Sequence, residues 1–466
     1  MTQLGTLLQP DKGQPATPLQ LVDEKSFDEW IKAQPERVRQ AAAAQGYRGE
    51  GFQIAFLPGE REQWSAALGV ADVDELSPWC LAKAAEQLPE GSYRIAGRGP
   101  GPAVLGWLLG QYRFTRYRQD KDAKGPRVLL TDEPGRIEET VRIAEVTFLV
   151  RDLVNTPAQD LGPKELEAAA QEVAGQYGGT LATTAGADLE AHYPMVAAVG
   201  RAASPERAPR LIELAWGDRR HPRIALVGKG VCFDSGGLDI KGAEGMRLMK
   251  KDMGGAAHAL ALARLVMAAN LPVRLHLLIP AVENAVSGAA FRPGDILNSR
   301  KGLTVEVGNT DAEGRLILAD ALARAAEGER DASPELILDF ATLTGAARVA
   351  LGPDLPALFS NHDGLADDLL DAGKAVADPL WRMPLWSHYE EMLSSDVADI
   401  GNCSERPMAG AVTAALFLQK FVPEGTPWAH LDTFAWRGSA KPGRPKGGDA
   451  LGLRAGWEVL KNRYRR

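Results

Sequence analysis

Residues 309–316 of the chain read NTDAEGRL, which places two carboxylates and a guanidinium within five residues. Asp311 and Glu313 are separated by one residue, and Arg315 follows after one more. In a strand the three side chains would share one face, whereas in a helix the two acids would point to different faces. The ordinary interpretation is a solvated loop between a strand and a helix. The alternative is that the two acids hold a cation.

Other charged residues follow predicted strands or precede predicted helices. The segment VGKGVCFDSGGLDIKG carries Lys229, Asp234 and Lys241, and KKDMGGAA carries Asp252 at the beginning of a predicted helix. Taken singly, Asp252 could be a helix N-cap and Asp234 an ordinary turn residue. Several acids beside glycines that let the backbone approach closely suit a divalent cation. The combination therefore favours a metal site.

Other catalytic classes match the sequence poorly. The seven histidines include no HExxH or HxxEH pair, and His258 lies in a helix of Ala and Leu where a packed role is expected. Lys229 lies between glycines, but the segment is not the GxxxxGK[ST] phosphate loop. Ser235 lacks a GxSxG context, which leaves a serine hydrolase as a minor alternative.

The elements that must position these residues alternate in type. From about residue 158, strands such as RIALVGKGVCF (223–233), LTVEV (303–307) and ELILDF (335–340) are separated by helical patterns. This order predicts an α/β fold with a mixed, mostly parallel sheet covered by helices on both faces. Ligands of such sheets bind at the carboxyl ends of the strands, where the charged residues lie.

The expected architecture has two domains. We expect a smaller α/β N-terminal domain over 1–133, a linking helix over 134–157 and a catalytic domain with the candidate metal site over 158–466. Within the first domain, 103–117 (AVLGWLLGQYRFTRY) has the apolar stripe of a helix. The linking helix should end near Val154, because the residue before a proline leaves the helical region.

Composition restricts the partners and the compartment. The 466 residues carry a net charge of −8, which disfavours nucleic acid and anionic membranes as partners. Three cysteines offer no disulfide framework, and no apolar run approaches the roughly 20 residues of a membrane span. The first residues lack the pattern of a signal peptide. We therefore expect a reducing, cytoplasmic location.

The motifs quoted above, with TLTGA, RPGDI, PLWRMPLW and WAHLD, resemble those of the leucyl (cytosol) aminopeptidase family of metallopeptidases. The resemblance spans about residues 151–455, and NTDAEGRL is similar to the signature of that family. It implies that two divalent ions, Zn²⁺ or Mn²⁺, are held by Lys229, Asp234, Asp252, Asp311 and Glu313. It also implies that Lys241 and Arg315 are the catalytic pair, with a bicarbonate at Arg315 as the general base.

The same resemblance implies a substrate class and an assembly. The substrate cleft would be lined by Met249, Asn309, Thr342, Leu343 and Gly345. Family members hydrolyse the N-terminal bond of peptides, with apolar residues such as Leu preferred, and they are usually homo-hexamers of two stacked trimers. The alternative is a DNA-binding architectural or regulatory protein, because some bacterial members bind DNA and this chain has basic stretches at 116–124 and 124–127. The net charge makes nucleic acid an unlikely partner.

Overall fold

The computed structural model describes residues 4–60, 63–118, 124–328 and 333–465. The chain divides into two compact units. The first comprises the residues up to Phe148 together with Gly438–Lys446, and the second comprises Leu149–Arg437 together with the residues from Gly447 onward. The expected domain boundaries 1–133, 134–157 and 158–466 stay a prediction.

The first unit contains an α/β sheet. Its strands are β1 (Leu8–Pro10), β2 (Thr17–Val22), β3 (Ile54–Pro58), β4 (Trp64–Gly69), β5 (Gly91–Ile95) and β6 (Arg127–Thr131). Within the described residues they lie in the order β1-β6-β5-β2-β4-β3, and every neighbouring pair is parallel except β3 with β4. Its helices are α1 (Phe27–Lys32), α2 (Glu36–Ala44), α3 (Ala82–Gln87) and α4 (Val104–Leu109).

The helix expected over 103–117 is shorter than the sequence pattern indicates. Helix α4 ends at Leu109, with Gly110 as its C-cap. A Cβ at Gly110 would lie 2.4 Å from the carbonyl oxygen of Ala82, so helix α3 passes too close to position 110 for any residue with a side chain. Beyond this point Tyr112 packs edge-on against Phe148, with ring centroids 4.8 Å apart. The prediction of a helix to residue 117 was wrong because the aromatic residues pack outside the helix.

Helix α5 (Ile137–Asn155) connects the sequences of the two units. The strands of the second unit are β7 (Thr180–Ala185), β8 (Arg210–Trp216), β9 (Arg223–Gly228), β10 (Gly230–Asp234), β11 (Arg274–Asn284), β12 (Ile296–Asn298), β13 (Thr304–Glu306), β14 (Leu336–Ala341), β15 (Ala357–Ser360), β16 (Trp381–Arg382), β17 (Ile400–Gly401), β18 (Trp428–Asp432), β19 (Trp436–Arg437) and β20 (Gly447–Gly448). Its helices are α6 (Pro163–Tyr177), α7 (Gly186–His192), α8 (Pro194–Gly200), α9 (Ala243–Met246), α10 (Gly254–Ala268), α11 (Glu313–Ala326), α12 (Gly345–Leu351), α13 (Asp363–Ala375), α14 (Gly410–Gln419) and α15 (Leu453–Tyr464).

The main sheet of the second unit is mixed and mostly parallel. Its described strands follow the order β16-β15-β18-β14-β9-β11-β8-β7, and β10 also pairs with β11. The central strands β18, β14, β9 and β11 are mutually parallel, whereas β15, β8 and β7 join in antiparallel pairs. All residues of β9 and β14 are buried, which is typical of parallel strands covered on both faces.

Alternate residues of the central strands pack against different helices. Ala225 and Val227 belong to a core cluster with residues of α8, α11 and α14. On the other face, the ring of Phe340 stacks on His258 of α10, with centroids 5.8 Å apart. Helices therefore cover both faces, and the fold class predicted from the sequence is confirmed. No described helix is both long and apolar enough to cross a membrane.

Two predicted strands differ from the structure. The segment 223–233 forms two strands, because the strand is interrupted at Lys229, between Gly228 and Gly230. The N–H of Lys229 donates to the Phe340 carbonyl oxygen at 3.0 Å. The segment LTVEV contributes β13, which pairs with β12 and β17 in a separate small sheet. NTDAEGRL therefore follows a side sheet and not a strand of the main sheet.

Candidate active site

Three buried acids converge at the carboxyl edge of the main sheet. Asp234 is the last residue of β10, Asp252 lies in a short 3-10 turn (Met249–Met253) before α10, and Glu313 is the first residue of α11. One carboxylate oxygen from each lies within 4.8 Å of the others. Each residue is at most 2 % exposed. The fold thus concentrates negative charge where water is largely excluded.

Two lysines each pair with two carboxylates, which are the three buried acids and Asp311. The Nζ of Lys229 lies 2.7 Å from Oδ2 of Asp252 and 2.9 Å from Oε1 of Glu313, and it donates to the Thr342 carbonyl oxygen at 3.1 Å. The Nζ of Lys241 lies 2.7 Å from Oδ2 of Asp234 and also pairs with Asp311. The structure therefore brings together the candidate metal ligands and Lys241: Lys229, Asp234, Asp252, Asp311, Glu313 and Lys241.

Burial and the neighbouring charges shift the protonation equilibria of this cluster. Burial, followed by repulsion from Asp234, raises the pKa of Glu313 to about 8 and that of Asp311 to about 6. Burial also raises the pKa of Asp252, but the charges of Lys229 and Lys251, together with the hydrogen bond from Lys229, outweigh it and bring the value to about 2. Burial lowers the pKa of Lys229, yet the surrounding acids hold it above its ordinary value. A bound cation would favour the ionised form of every acid in the cluster.

The donor atoms fit a divalent cation. Oε2 of Glu313 is buried and has no hydrogen-bond partner within the described part of the chain. Oδ1 of Asp234 already accepts from the Gly236 N–H and from Nδ2 of Asn284, each at 2.9 Å, which leaves Oδ2 facing the cluster. Carboxylate oxygens with one amine nitrogen suit Zn²⁺ or Mn²⁺. The residues present could therefore hold such an ion.

Arg315 differs from the lysines because it does not neutralise the acids. It is 8 % exposed, and its Nη1 donates to the carbonyl oxygen of Asn402 at 2.8 Å. Among residues 4–60, 63–118, 124–328 and 333–465 it forms no ion pair, and its buried Nε has no hydrogen-bond partner. A buried guanidinium with a donor to spare is able to bind a small oxyanion.

The residues expected to line a substrate cleft have different positions. Thr342 is buried, and its hydroxyl donates to Oδ1 of Asp252 at 2.8 Å. Oδ1 of Asn309 accepts the Asp311 N–H at 2.7 Å and so fixes the turn before α11. Met249 and Leu343 are half-buried, and Gly345 is exposed as the first residue of α12.

Several positioning residues were missed by the sequence reasoning. Asn284 donates to Asp234 and to the Thr310 carbonyl oxygen, and Asp432 accepts the N–H groups of Leu343 and Thr344. These two are the last residues of β11 and β18, so the strand-end rule could have identified them. Asn402 accepts the Gly308 N–H at 2.8 Å and donates to the Asn309 carbonyl oxygen at 2.8 Å. No sequence signal marked Asn402, which lies about 90 residues from its partners.

The structure also decides between the alternatives for single residues. Asp252 is not an N-cap, because Met253 occupies that position without a side-chain bond. The Ser235 hydroxyl donates to the Asn284 carbonyl oxygen at 2.8 Å and accepts the Gly237 N–H, as a turn residue does. His258 is fully buried between the Gly254 carbonyl oxygen and the Leu451 N–H, which confirms its packed role.

Comparison with known proteins identifies the family of the chain. The model of the cytosol aminopeptidase family, catalytic domain, matches residues 148–455, and that of the M17 aminopeptidase, N-terminal domain, matches residues 17–129. The chain belongs to the cytosol aminopeptidase family. It is therefore a peptidase, a metal-dependent aminopeptidase that acts on peptides, as the resemblance of its motifs implied.

Individual relatives cover most of the chain. A probable cytosol aminopeptidase of Chlorobium limicola is 41 % identical over 77 % of this chain and 74 % of its own length. One of Chlorobaculum tepidum is 38 % identical over 91 % of this chain and 86 % of its own length. The crystal structure of the cytosol aminopeptidase from Coxiella burnetii matches with a TM-score of 0.92 and 45 % identity over 98 % of this chain and all of its own. The structure of the bottromycin maturation enzyme BotP in complex with Mn matches with a TM-score of 0.87 and 32 % identity, over 97 % of this chain and 99 % of its own.

The DNA-binding alternative finds no support in these comparisons. Of its basic stretches, residues 119–123 lie outside the described part of the chain. Arg127 is buried, and its guanidinium donates to the carbonyl oxygens of Ala85 and Lys124 at 2.9 and 3.1 Å. This arginine therefore supports the fold of the first unit.

Gly314, between Glu313 and Arg315, provides a test of the site geometry. A Cβ at Gly314 would lie 2.6 Å from Cε and 2.7 Å from Nζ of Lys229. We expect Gly314→Ala to push the lysine away from its two acids and to lower kcat/KM for peptide hydrolysis by about 100-fold, because small misplacements in active sites have effects of that size. Retention of more than half of the activity would show that the Lys229 position is unimportant.

The matched control is Gly175→Ala, which also lies within a helix. A Cβ at Gly175 meets nothing within 4 Å. This change should leave the activity intact and raise the free energy of unfolding by about 0.5–1 kcal/mol, because alanine loses less backbone entropy on folding. Denaturant unfolding of both variants would separate misfolding from a displaced lysine.

Proposed function

We propose that this enzyme removes N-terminal apolar residues such as Leu from peptides by a two-metal mechanism. The observation that carries the proposal is the buried set of carboxylates around Lys229, with an unpartnered Oε2 on Glu313. In the proposed arrangement Asp311 would help to hold one ion, Lys229 and Asp252 would help to hold the other, and Asp234 and Glu313 would serve both. When bound, the ions would lower the pKa of a shared water and polarise the peptide carbonyl group.

The remaining charged residues take separate roles in the proposal. Lys241, which lies beside Asp234 and Asp311, stabilises the oxyanion that develops on the carbonyl oxygen. Arg315 cannot accept a proton, because its pKa is too high for a base. Its free Nε and buried position suit a bicarbonate that serves as general base.

The substrate would lie against Met249, Asn309, Thr342, Leu343 and Gly345. Met249 and Leu343 are half-buried apolar side chains that neighbour the buried Asp252 and Thr342 in the sequence. Such a lining favours an apolar side chain at the peptide N-terminus. Asp432 would hold the Leu343–Thr344 backbone in place through its bonds to both N–H groups.

The metals, assembly and location complete the proposal. Zn²⁺ or Mn²⁺ is proposed at both positions, and the manganese named in the BotP structure supports the latter. A homo-hexamer of two stacked trimers and a cytoplasmic location are proposed from the resemblance and from relatives named as cytosol aminopeptidases.

Metal exchange tests the proposed reaction. The purified enzyme is stripped with a chelator, dialysed and then supplied with Zn²⁺ or Mn²⁺ before hydrolysis of Leu, Ala, Glu and Lys anilides is measured. We expect the stripped enzyme to lose at least 99 % of its Leu-anilide turnover and to regain it with one of the two ions. Turnover that survives stripping, or a preference for charged residues, would contradict the proposal.

Arg315→Lys tests the separate role of the guanidinium. A lysine keeps the charge but lacks the planar pair of donors that binds an oxyanion. We expect kcat to fall at least ten-fold while the metal dissociation constants, measured by competition with a chromogenic chelator, change by less than about three-fold. Equal losses of turnover and metal affinity would refute this division of roles.

A further inference from the structure

Lys251 is a buried cation beside the candidate metal site that the proposed mechanism does not use. The residue is 5 % exposed, and its Nζ lies 3.2 Å from Oδ1 of Asp252. Over the described ranges, Asp252 is the only carboxylate within ion-pair distance of Lys251. The partner of this buried ammonium is therefore a candidate metal ligand.

Three groups divide the two oxygens of the Asp252 carboxylate between them. Oδ1 accepts from the Thr342 hydroxyl at 2.8 Å and from Lys251, whereas Oδ2 faces Lys229 at 2.7 Å. Oδ2 is thus the oxygen left for a metal ion that is shared with Lys229. The Thr342 hydroxyl is the closer of the two donors to Oδ1, so the carboxylate keeps an orienting hydrogen bond when Lys251 is replaced.

The ammonium of Lys251 also contacts an aromatic ring. The Nζ of Lys251 lies 5.2 Å from the ring centroid of Phe434, which also carries the Arg348 guanidinium at 4.9 Å. Cation–π contacts of this kind stabilise a desolvated charge. Lys251 is therefore fixed next to Asp252 and is not free to move out into solvent.

The charge of Lys251 is in excess once metal is bound. In the proposed site four carboxylates balance two divalent ions. The buried carboxylate of Asp432 also attracts Lys251, but among the described residues it lies beyond ion-pair distance. Lys251 therefore adds a positive charge that the four ligand carboxylates do not balance. Charges of +1 and +2 that are about 6 Å apart repel each other enough to change a dissociation constant about ten-fold, even with the dielectric constant of water. A partly desolvated pair repels more strongly.

We propose that Lys251 weakens metal binding at the Lys229–Asp252 position through its charge. The inference rests on the proposed two-metal function. It states that Lys251 changes the affinity of the protein for one of the two ions. The ion at Asp252 is thereby held less tightly than its ligands alone would hold it.

The test is a metal titration of Lys251→Met and Lys251→Gln in the full-length protein. Stripped protein is titrated with Zn²⁺ and with Mn²⁺ by calorimetry, with a competing chelator for tight binding. We expect two ions per chain, with one dissociation constant at least ten-fold lower in both variants than in the parent and the other changed by less than three-fold. Glutamine keeps a donor for Oδ1, so it serves if the methionine variant fails to fold.

Two controls separate charge from orientation. Thr342→Val removes the other donor to Oδ1 without changing any charge, and it should weaken binding, because the loss of a partner that orients a ligand typically costs 10–100-fold in affinity. Lys250→Met removes the neighbouring lysine, whose Nζ donates to the Asn155 carbonyl oxygen at 2.6 Å, and it should leave both constants within about two-fold.

The outcomes are distinct for the two proposals. Unchanged or weaker metal binding in both Lys251 variants would overturn the inference about Lys251 while leaving the two-metal function intact. Parent protein that binds no ion at all would overturn the proposed function itself. Tighter binding in Lys250→Met as well would show that net charge, and not the contact with Asp252, sets the affinity.

Discussion

Mutual repulsion among Asp234, Asp252, Asp311 and Glu313 is the constraint on which the rest of the site depends. Burial strengthens this repulsion, because the protein interior screens charge less than water does. The chain offsets it with Lys229 and Lys241, each of which bridges two of the acids. Burial and, after it, repulsion from Asp234 still raise the pKa of Glu313, and a cation bound beside it would favour its ionised form.

Glycines let helix α10 and the central strands pack closely around the acids. A Cβ at Gly255 would lie 2.1 Å from the Phe340 carbonyl oxygen, and one at Gly228 would lie 2.6 Å from the Cα of Ala256. Helix α10 therefore packs directly on strands β9 and β14, which brings Asp252 to the edge where β10 ends. Hydrogen bonds from Asn284 to Asp234, and between Asn402 and the backbone of Gly308 and Asn309, fix the turns that carry the other acids.

Much of the fold was predictable from the sequence because strand and helix patterns of the second unit are long and regular. The acids were predictable as a set, because each stands at the end of a strand or the beginning of a helix. The separate sheet that holds β13 was not, because three residues of alternating pattern do not reveal their partner strand. The role of Asn402 was also hidden, since its hydrogen bonds join residues about 90 positions apart in the chain.

The positions of the bound ions test the central claim most directly. Crystals grown with Zn²⁺ or Mn²⁺ and measured on both sides of the metal absorption edge would locate every ion by anomalous scattering. The account predicts two peaks, one at about 2.0–2.3 Å from ligand atoms of Lys229 and Asp252 and the other at a similar distance from Asp311, with Asp234 and Glu313 between them. A single peak, or peaks bound by other residues, would contradict it.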